Sequence, residues 1–391
     1  MITRTFYTLF FSIVISDIII YFTHINNLGH TLWRTLWFVP SILLIAGLVT
    51  VMFARKQFYM IDKAHIASFY FMLCLAITIP KCVFAVTYLT KYAVQQFTTA
   101  NIDRIFTNIA LGLGLATFAI IAIGTLWGWR KAVITRVTVS SSKLPDTFDG
   151  LKIVHISDIH ASTWSTNPRD FIKIVAKINA ENADIIMFTG DLITHRTSEL
   201  AYIEKPLRAL RAKYDIYSVL GNHDYSPYYP WRNIMDKKQN LEDLINMQKD
   251  MGWKLLNNTH DYLRIDNDSI AVIGVENWGD PPFSKYGNLP MAMQGVDDKC
   301  YKILLTHNPA HWEAEVKGGD IDLTLSGHTH AMQFKLFGLS LSRLKYRYWN
   351  DLHKVGDQYI CVNEGLGCTL IPFRFGSWPE ITVITLHKAK E

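Results

Sequence analysis

Four apolar stretches in the first third of the chain limit its fold more than any other feature. A hydrocarbon core of about 30 Å takes roughly 20 apolar helical residues to cross. Residues 5–22, 36–54, 66–88 and 105–129 meet or approach that length. In lipid the backbone has to satisfy its own N–H and C=O groups, so each stretch is predicted to be a helix. The first holds one charge, Asp17, the third holds only Lys81, and the other two hold none. A cleavable leader accounts for one such stretch but not for four, and no small-residue cleavage site follows the first. Residues 1–131 are therefore predicted to be a four-helix transmembrane module whose partner is the lipid bilayer.

Charge separates this module from the rest. Up to residue 131 ten Lys or Arg stand against three Asp or Glu, whereas the remaining residues carry 29 basic and 31 acidic groups. The later part is close to neutral, which argues against nucleic acid as a partner, because a phosphate-tracking domain carries its own basic excess. Arg4, Arg55, Lys56, Lys63, Arg130, Lys131 and Arg136 fall on one side of the predicted membrane, and Arg34, Lys91 and Arg104 on the other. Basic loops are retained inside. The expected arrangement is a multi-pass cell (inner) membrane protein with its C-terminal domain on the cytoplasmic face. Asp17 and Lys81 form either a polar site in the membrane or one interhelical ion pair. Five cysteines without CxxC spacing imply no disulfide framework and no zinc knuckle.

Residues 132–150, ending in the Ser- and Asp-rich "VSSSKLPDTFDG", read as a linker. From Leu151 to the C-terminus short apolar runs alternate with helical segments at 168–181 and 200–212, the pattern of an α/β domain. The runs end alike. "LKIVHISDIH" closes on Asp158 and His160, "ADIIMFTGD" on Asp191, and "DIYSVLGNHD" on Asn222, His223 and Asp224. "YKILLTHNP" closes on His307 and "DLTLSGHTH" on His328 and His330. Ligands bind beyond the carboxyl ends of strands in such sheets. One such ending is an ordinary turn; five with metal-capable side chains point to a metal centre. Carboxylate, imidazole and amide oxygen without thiolate suit Mn, Fe or Zn, and the number of donors exceeds what one ion needs. Two ions about 3.5–4 Å apart hold a phosphoryl oxygen and make a water nucleophilic.

In their order these motifs, "DIH", "GD", "GNHD", "THNP" and "GHTH", resemble the signature of the calcineurin-like metallophosphoesterases over 151–386. The tail "VNEGLGCTLIPFRFGSWPEITVITL" is similar to the membrane-attached bacterial branch of that family. The resemblance implies a β-sandwich flanked by helices, with two divalent ions, Mn favoured, at the strand ends. One ion would be held by Asp158, His160, Asp191 and His330, the other by Asp191, Asn222, His307 and His328, with Asp191 bridging. His223 would sit by the substrate phosphate and either stabilise the transition state or protonate the leaving oxygen, and Asp224 would orient and charge-stabilise His223. The implied activity is hydrolysis of a phosphodiester or pyrophosphate, with a lipid-linked compound such as UDP-diacylglucosamine as candidate substrate. An outward-facing enzyme acting on envelope polymers, or a membrane sensor or transporter with a regulatory phosphoesterase domain, are the alternatives. The chain departs from the family at Ala331 and Met332, where relatives have two glycines.

Three further features stand apart from the signature. "YSPYYPWRN" at 225–233 is either a lid over the cleft, the favoured reading, or a covering over the sheet edge. "LSRLKYRYW" at 341–349 suits a lipid headgroup surface or a phosphate-bearing substrate, or is an ordinary solvated face, and Arg374 is either a phosphate donor or a structural group. His195, four residues past Asp191, is placed near the cleft; His155 and the other histidines are expected to be ordinary.

Overall fold

A computed structural model describes residues 2–53 and 61–389. Helix α1 spans Ile2–Thr23, and α2, Val39–Phe53, follows a short helical turn at Thr31–Leu36. Helices α3, Ile61–Val94, and α4, Asp103–Leu126, complete the module. Among the described residues four helical segments are long and apolar enough to cross a membrane. Ala54, which closes the second predicted stretch, and Arg55 and Lys56 lie outside the described residues.

The two intramembrane charges meet. Lys81 Nζ in α3 is 2.7 Å from Asp17 Oδ1 in α1 and 3.2 Å from Ser41 Oγ in α2, and it lies over the Trp37 ring. Asp17 is buried. The pair therefore ties three helices together where a lone charge would be costly. Removing one partner from a buried pair costs about 3–5 kcal/mol, while removing both is often neutral. Lys81→Met is accordingly expected to lower the unfolding temperature of the detergent-solubilised chain, and Asp17→Asn added to it to recover most of the loss. A double variant less stable than the single would contradict the pairing.

The chain divides into two compact units, 1–126 and 127–391. The second begins earlier than the sequence indicates. Strand β1, Val133–Ser141, lies within the presumed linker 132–150 and pairs in parallel with the last strand along its whole length. Its run of β-branched Val, Ile and Thr, broken only by Arg136, is a strand signal, overshadowed by the turn-rich residues after it. Only the part beyond Ser141 forms turns, closed by a short 3-10 segment at Asp146–Phe148.

Among the described residues twelve strands make two six-stranded sheets. The first contains, in order, β1, β12 (Glu380–Lys388), β2 (Lys152–Ile156), β3 (Ile185–Phe188), β4 (Ile216–Ser218) and β5 (Lys254–Leu255). The second runs β10 (Asp351–Val355), β11 (Gln358–Val362), β9 (Leu323–Ser326), β8 (Tyr301–Leu305), β7 (Asp268–Gly274) and β6 (Thr259–Ile265). Strands β2, β3 and β4 are parallel, as are β7, β8 and β9. Strand period two splits the side chains between layers. Ile153 and Ile185 join Ile303 and Leu325 in the core shared by the sheets, while Val154 and Ile186 pack outward with Phe171 and Ile174 of α5 (Pro168–Ala180). The helix expected over 200–212 is broken into a 3-10 segment, Thr197–Tyr202, and one turn, Glu204–Leu207, at Ile203. Helix α6, Ile234–Asp250, starts on Asn233, whose side chain accepts the Asp236 N–H.

Candidate metal centre

Each motif residue sits two to four positions beyond a strand end: Asp158 and His160 after β2, Asp191 after β3, Asn222 after β4, His307 after β8, His328 and His330 after β9. Both sheets thus contribute, from the same end of the sandwich. The chain has to turn abruptly there, and Asp158, His160, Asp191, His328 and His330 all have φ between 43° and 72°. Non-glycine residues in this left-handed region are held there by their surroundings. Asp158 N–H donates to Gly190 O and His160 N–H to Asp191 O, which fastens the first two turns to each other. Gly327 allows the close approach of the second sheet, since a Cβ there would overlap Ser157 Oγ and Asp158 Oδ2.

The donor atoms converge. His330 Nε2 is 3.1 Å from both Asp158 Oδ1 and His160 Nε2. Asp191 Oδ2 lies 3.6 Å from His160 Nε2 and 3.2 Å from His307 Nε2, and His328 Nδ1 is 3.2 Å from His307 Nε2. Two groups are tight enough to hold a cation: Asp158, His160 and His330, and Asp158, Asp191 and His307, all buried. Neighbours set which atom faces inward. His307 Nδ1 donates to Thr189 O at 2.7 Å, which leaves Nε2 for the centre. Asp158 Oδ2 accepts Ser157 O–H and His328 N–H, which leaves Oδ1.

This donor set fits divalent cations. Asp158 Oδ1 and Asn222 Oδ1 are buried acceptors with no hydrogen bond of good geometry, an arrangement that is expensive unless a cation satisfies it. Electrostatics agree. Burial alone would raise the Asp158 carboxyl, yet His330, His307 and His160 hold it well below the usual range. Burial would lower His307, yet Asp191 and Asp158 hold it up to about 9, so the carboxylates demand positive charge at this spot. Burial, then repulsion from His307, presses His328 down to about 3, leaving a neutral imidazole of the kind that binds metal.

Asp224 does something other than orient His223. Its carboxylate accepts the N–H groups of Asp191, Leu192, Ile193 and Gly221 at 2.8–3.2 Å, so its lone pairs are taken by the two loops it joins. The His223 ring is held instead by donation from Nδ1 to Thr194 O at 2.8 Å, with Tyr228 packed on it at 4.7 Å between ring centroids. His195 is half-buried beside this region, and burial followed by the charge of His223 lowers it to about 4. His155 is buried on Thr189 Oγ1, as an ordinary core histidine is.

Arg374 is fully buried and bonds the carbonyls of Glu364, Gly367 and Ser377, with Nη2 3.0 Å from His330 Nδ1. Its guanidinium is used up on these carbonyls and the His330 ring, which makes it a structural group. Tyr346, from the basic and aromatic segment, places its hydroxyl 3.1 Å from His328 Nε2. Nothing in the sequence signals that contact, because Tyr346 returns to His328 only through the path of the long β9–β10 connection that holds both. Ala331 and Met332, at the family's glycine positions, adopt φ of 47° and 50° without glycine, Ala331 buried and Met332 exposed. In the expected lid, Tyr228 alone bears on His223; Tyr225 bonds Glu276, and Trp231 bonds Ser226 O. A pocket of about 70 Å³ beside Asn222 is lined by Tyr228, Phe283 and Lys237 among others.

Residues 151–332 match the family described as calcineurin-like phosphoesterase. The chain is 31% identical over 264 residues to the uncharacterized metallophosphoesterase YkuE of Bacillus subtilis, covering 64% of this chain and 84% of that protein. It is 29% identical over 287 residues to a transmembrane protein with metallophosphoesterase domain from Danio rerio, covering 71% of this chain and 62% of the fish protein. An uncharacterized metallophosphoesterase of Helicobacter pylori is 28% identical over 357 residues, 88% of each chain. That last likeness is too long to fit within 127–391 and runs into the helical module.

Proposed function

This chain belongs to the calcineurin-like metallophosphoesterase family and is a membrane-attached phosphoester hydrolase, and from that premise we propose that it cleaves phosphodiester or pyrophosphate bonds in lipid-linked or membrane-adjacent substrates. The observation that carries this reading is the convergence of Asp158, His160, Asp191, His307 and His330 in two buried, cation-sized groups in a chain with four membrane-length helices among its described residues. Asp158, His160, Asp191 and His330 would hold one ion, and Asp191, Asn222, His307 and His328 the other. In this reading Asp191 is the shared ligand, since Oδ2 lies 3.6 Å from His160 and 3.2 Å from His307, whereas Asp158, common to both tight groups, has Oδ2 taken by Ser157 and His328. When bound there, divalent ions, with Mn favoured, would supply charge neutralisation at the phosphoryl oxygens and a lowered pKa for water.

The protein's own groups do the rest. His307 and His328 are oriented by Thr189 O and Tyr346 Oη. His223, with Nδ1–H given to Thr194 O, keeps Nε2 as the atom that carries a proton to the leaving oxygen. Asp224 holds the two loops that bear Asp191 and His223 at a fixed separation. The Tyr228 ring packs on His223 and limits water on that side. In this reading the catalytic domain faces the cytoplasm, as the loop charges favour.

Hydrolysis by the purified full chain with added Mn tests the substrate class. Turnover of a UDP-diacylglucosamine-type lipid pyrophosphate is the expected result. Turnover of soluble diesters alone would remove the lipid half of the proposal, and a reporter fused after Glu391 decides the side of the membrane. Tyr346→Phe tests the ligand assignment from a distance. Losing the partner that orients a metal-bound imidazole costs about 10–100-fold in metal affinity. Unchanged Mn affinity in calorimetry would show that His328 is not positioned in this way.

A further inference from the structure

The segment after the last two histidines carries a surface that the hydrolytic site does not use. Met332, Leu336, Phe337, Leu339, Leu341 and Leu344 are all exposed, Phe337 by 94% and Leu344 by 80%. Single exposed apolar residues are common, but six within one short segment form a patch of the kind that marks an interaction site. The segment is also rigidly presented. Leu336 and Leu339 exchange both backbone hydrogen bonds, Lys335 N–H donates to Phe375 O, and Ser340 O–H donates to Ala331 O. The turn thrusts Phe337 outward with a left-handed backbone, φ 51°, a conformation that no packing of that ring within the protein explains.

A line of aromatic contacts identifies what covers the patch. Phe334 stacks on Phe375, Phe375 meets Trp378, and Trp378 meets Trp127, at centroid distances of 6.1, 5.8 and 6.2 Å. Trp127 directly follows Leu126, the last residue of α4. Lys131 Nζ lies over both Trp127 and Trp378, at 4.9 and 4.8 Å. Trp with Lys at the end of a spanning helix is the composition of the membrane–water interface. The contacts therefore run from the point where the chain leaves the bilayer to the apolar turn. Exposed Arg343 and Arg347 lie within and just beyond the patch, where anionic headgroups would meet them.

We propose that this surface dips into the headgroup layer of the bilayer that the chain itself spans. Its neighbours along the chain are His330 on one side and Tyr346, which holds His328, on the other, so docking sets the mouth of the metal centre against the lipid surface. The consequence for substrate choice rests on the lipid-substrate reading above, whereas the docking does not.

Full-length protein in phosphatidylethanolamine and phosphatidylglycerol vesicles, spin-labelled at Phe337→Cys or Leu344→Cys, tests it, with the signal of the unsubstituted chain subtracted for its native cysteines. Asn267→Cys, in the turn before β7 at the other end of the parallel strands, is the reference. Labels at 337 and 344 should collide more with lipid-soluble oxygen than with a water-soluble nickel chelate, and the label at 267 the reverse. Greater access to the chelate at 337 and 344 would overturn the proposal. So would shielding from both reagents, the mark of a second copy or another protein on the patch. These readings need no substrate, so they stand whether or not the chain hydrolyses a lipid pyrophosphate. The double variant Phe337→Ser, Leu344→Ser should keep turnover of a soluble diester and lose that of any vesicle-borne substrate the parent cleaves.

Discussion

Asp191→Ala is expected to lower phosphodiester turnover by at least about 10³-fold, since losing several kcal/mol of metal-borne charge stabilisation at 1.36 kcal/mol per decade amounts to that much. The expectation follows from where this carboxylate sits. Oδ2 faces His160 and His307, which belong to different ligand sets, and Oδ1 accepts the His223 N–H at 2.8 Å. One substitution therefore removes the proposed shared donor and loosens the turn that carries the proposed proton donor. Mn content and kcat measured on the same preparation decide the matter. Full metal occupancy with turnover within tenfold of the parent would show that Asp191 is not the shared ligand.

His223→Ala should behave differently. General acid assistance is worth about 10²–10⁴-fold, and His223 contributes no atom to either cation-sized group. Turnover should fall within that range while metal content stays at the parent level. The loss should also depend on the leaving group, steep for an alkoxide that needs a proton and shallow for p-nitrophenolate, which leaves without one. Equal losses on both kinds of ester would exclude proton donation from Nε2 and leave His223 as a binding group.

Much of the site was legible in the sequence because its chemistry is written into short local motifs. Asp158 with His160, Asn222 with His223, and His328 with His330 each follow a strand within a few residues, so strand prediction alone places them at one end of a sheet. The role of Asp224 was not legible. A carboxylate next to His223 in sequence looks like its partner, but the tight turn sends the two side chains apart, and Asp224 ends among backbone N–H groups from two loops. Arg374 and Tyr346 show the same limit from the other side. Each meets a histidine 44 or 18 positions away, and such a contact depends on loop paths that no local pattern encodes. Strand β1 was hidden for a different reason: it completes a sheet by pairing with β12, at the far end of the chain.

The sequence by itself determined the membrane-length helices, the α/β character of the second unit and the identity of the metal-capable residues, because hydrophobic length, strand period and donor chemistry are local properties. Only the tertiary structure decided that the donors come from two facing sheets, which nitrogen of His307 is turned inward, and that Asp17 and Lys81 form an ion pair. It also decided that Phe337 and its neighbours stand in the open on the same loop that leads away from His330. Each of these depends on which distant segments pack together, and that is set by burial and backbone hydrogen bonding summed over the whole fold rather than by any one stretch of the chain.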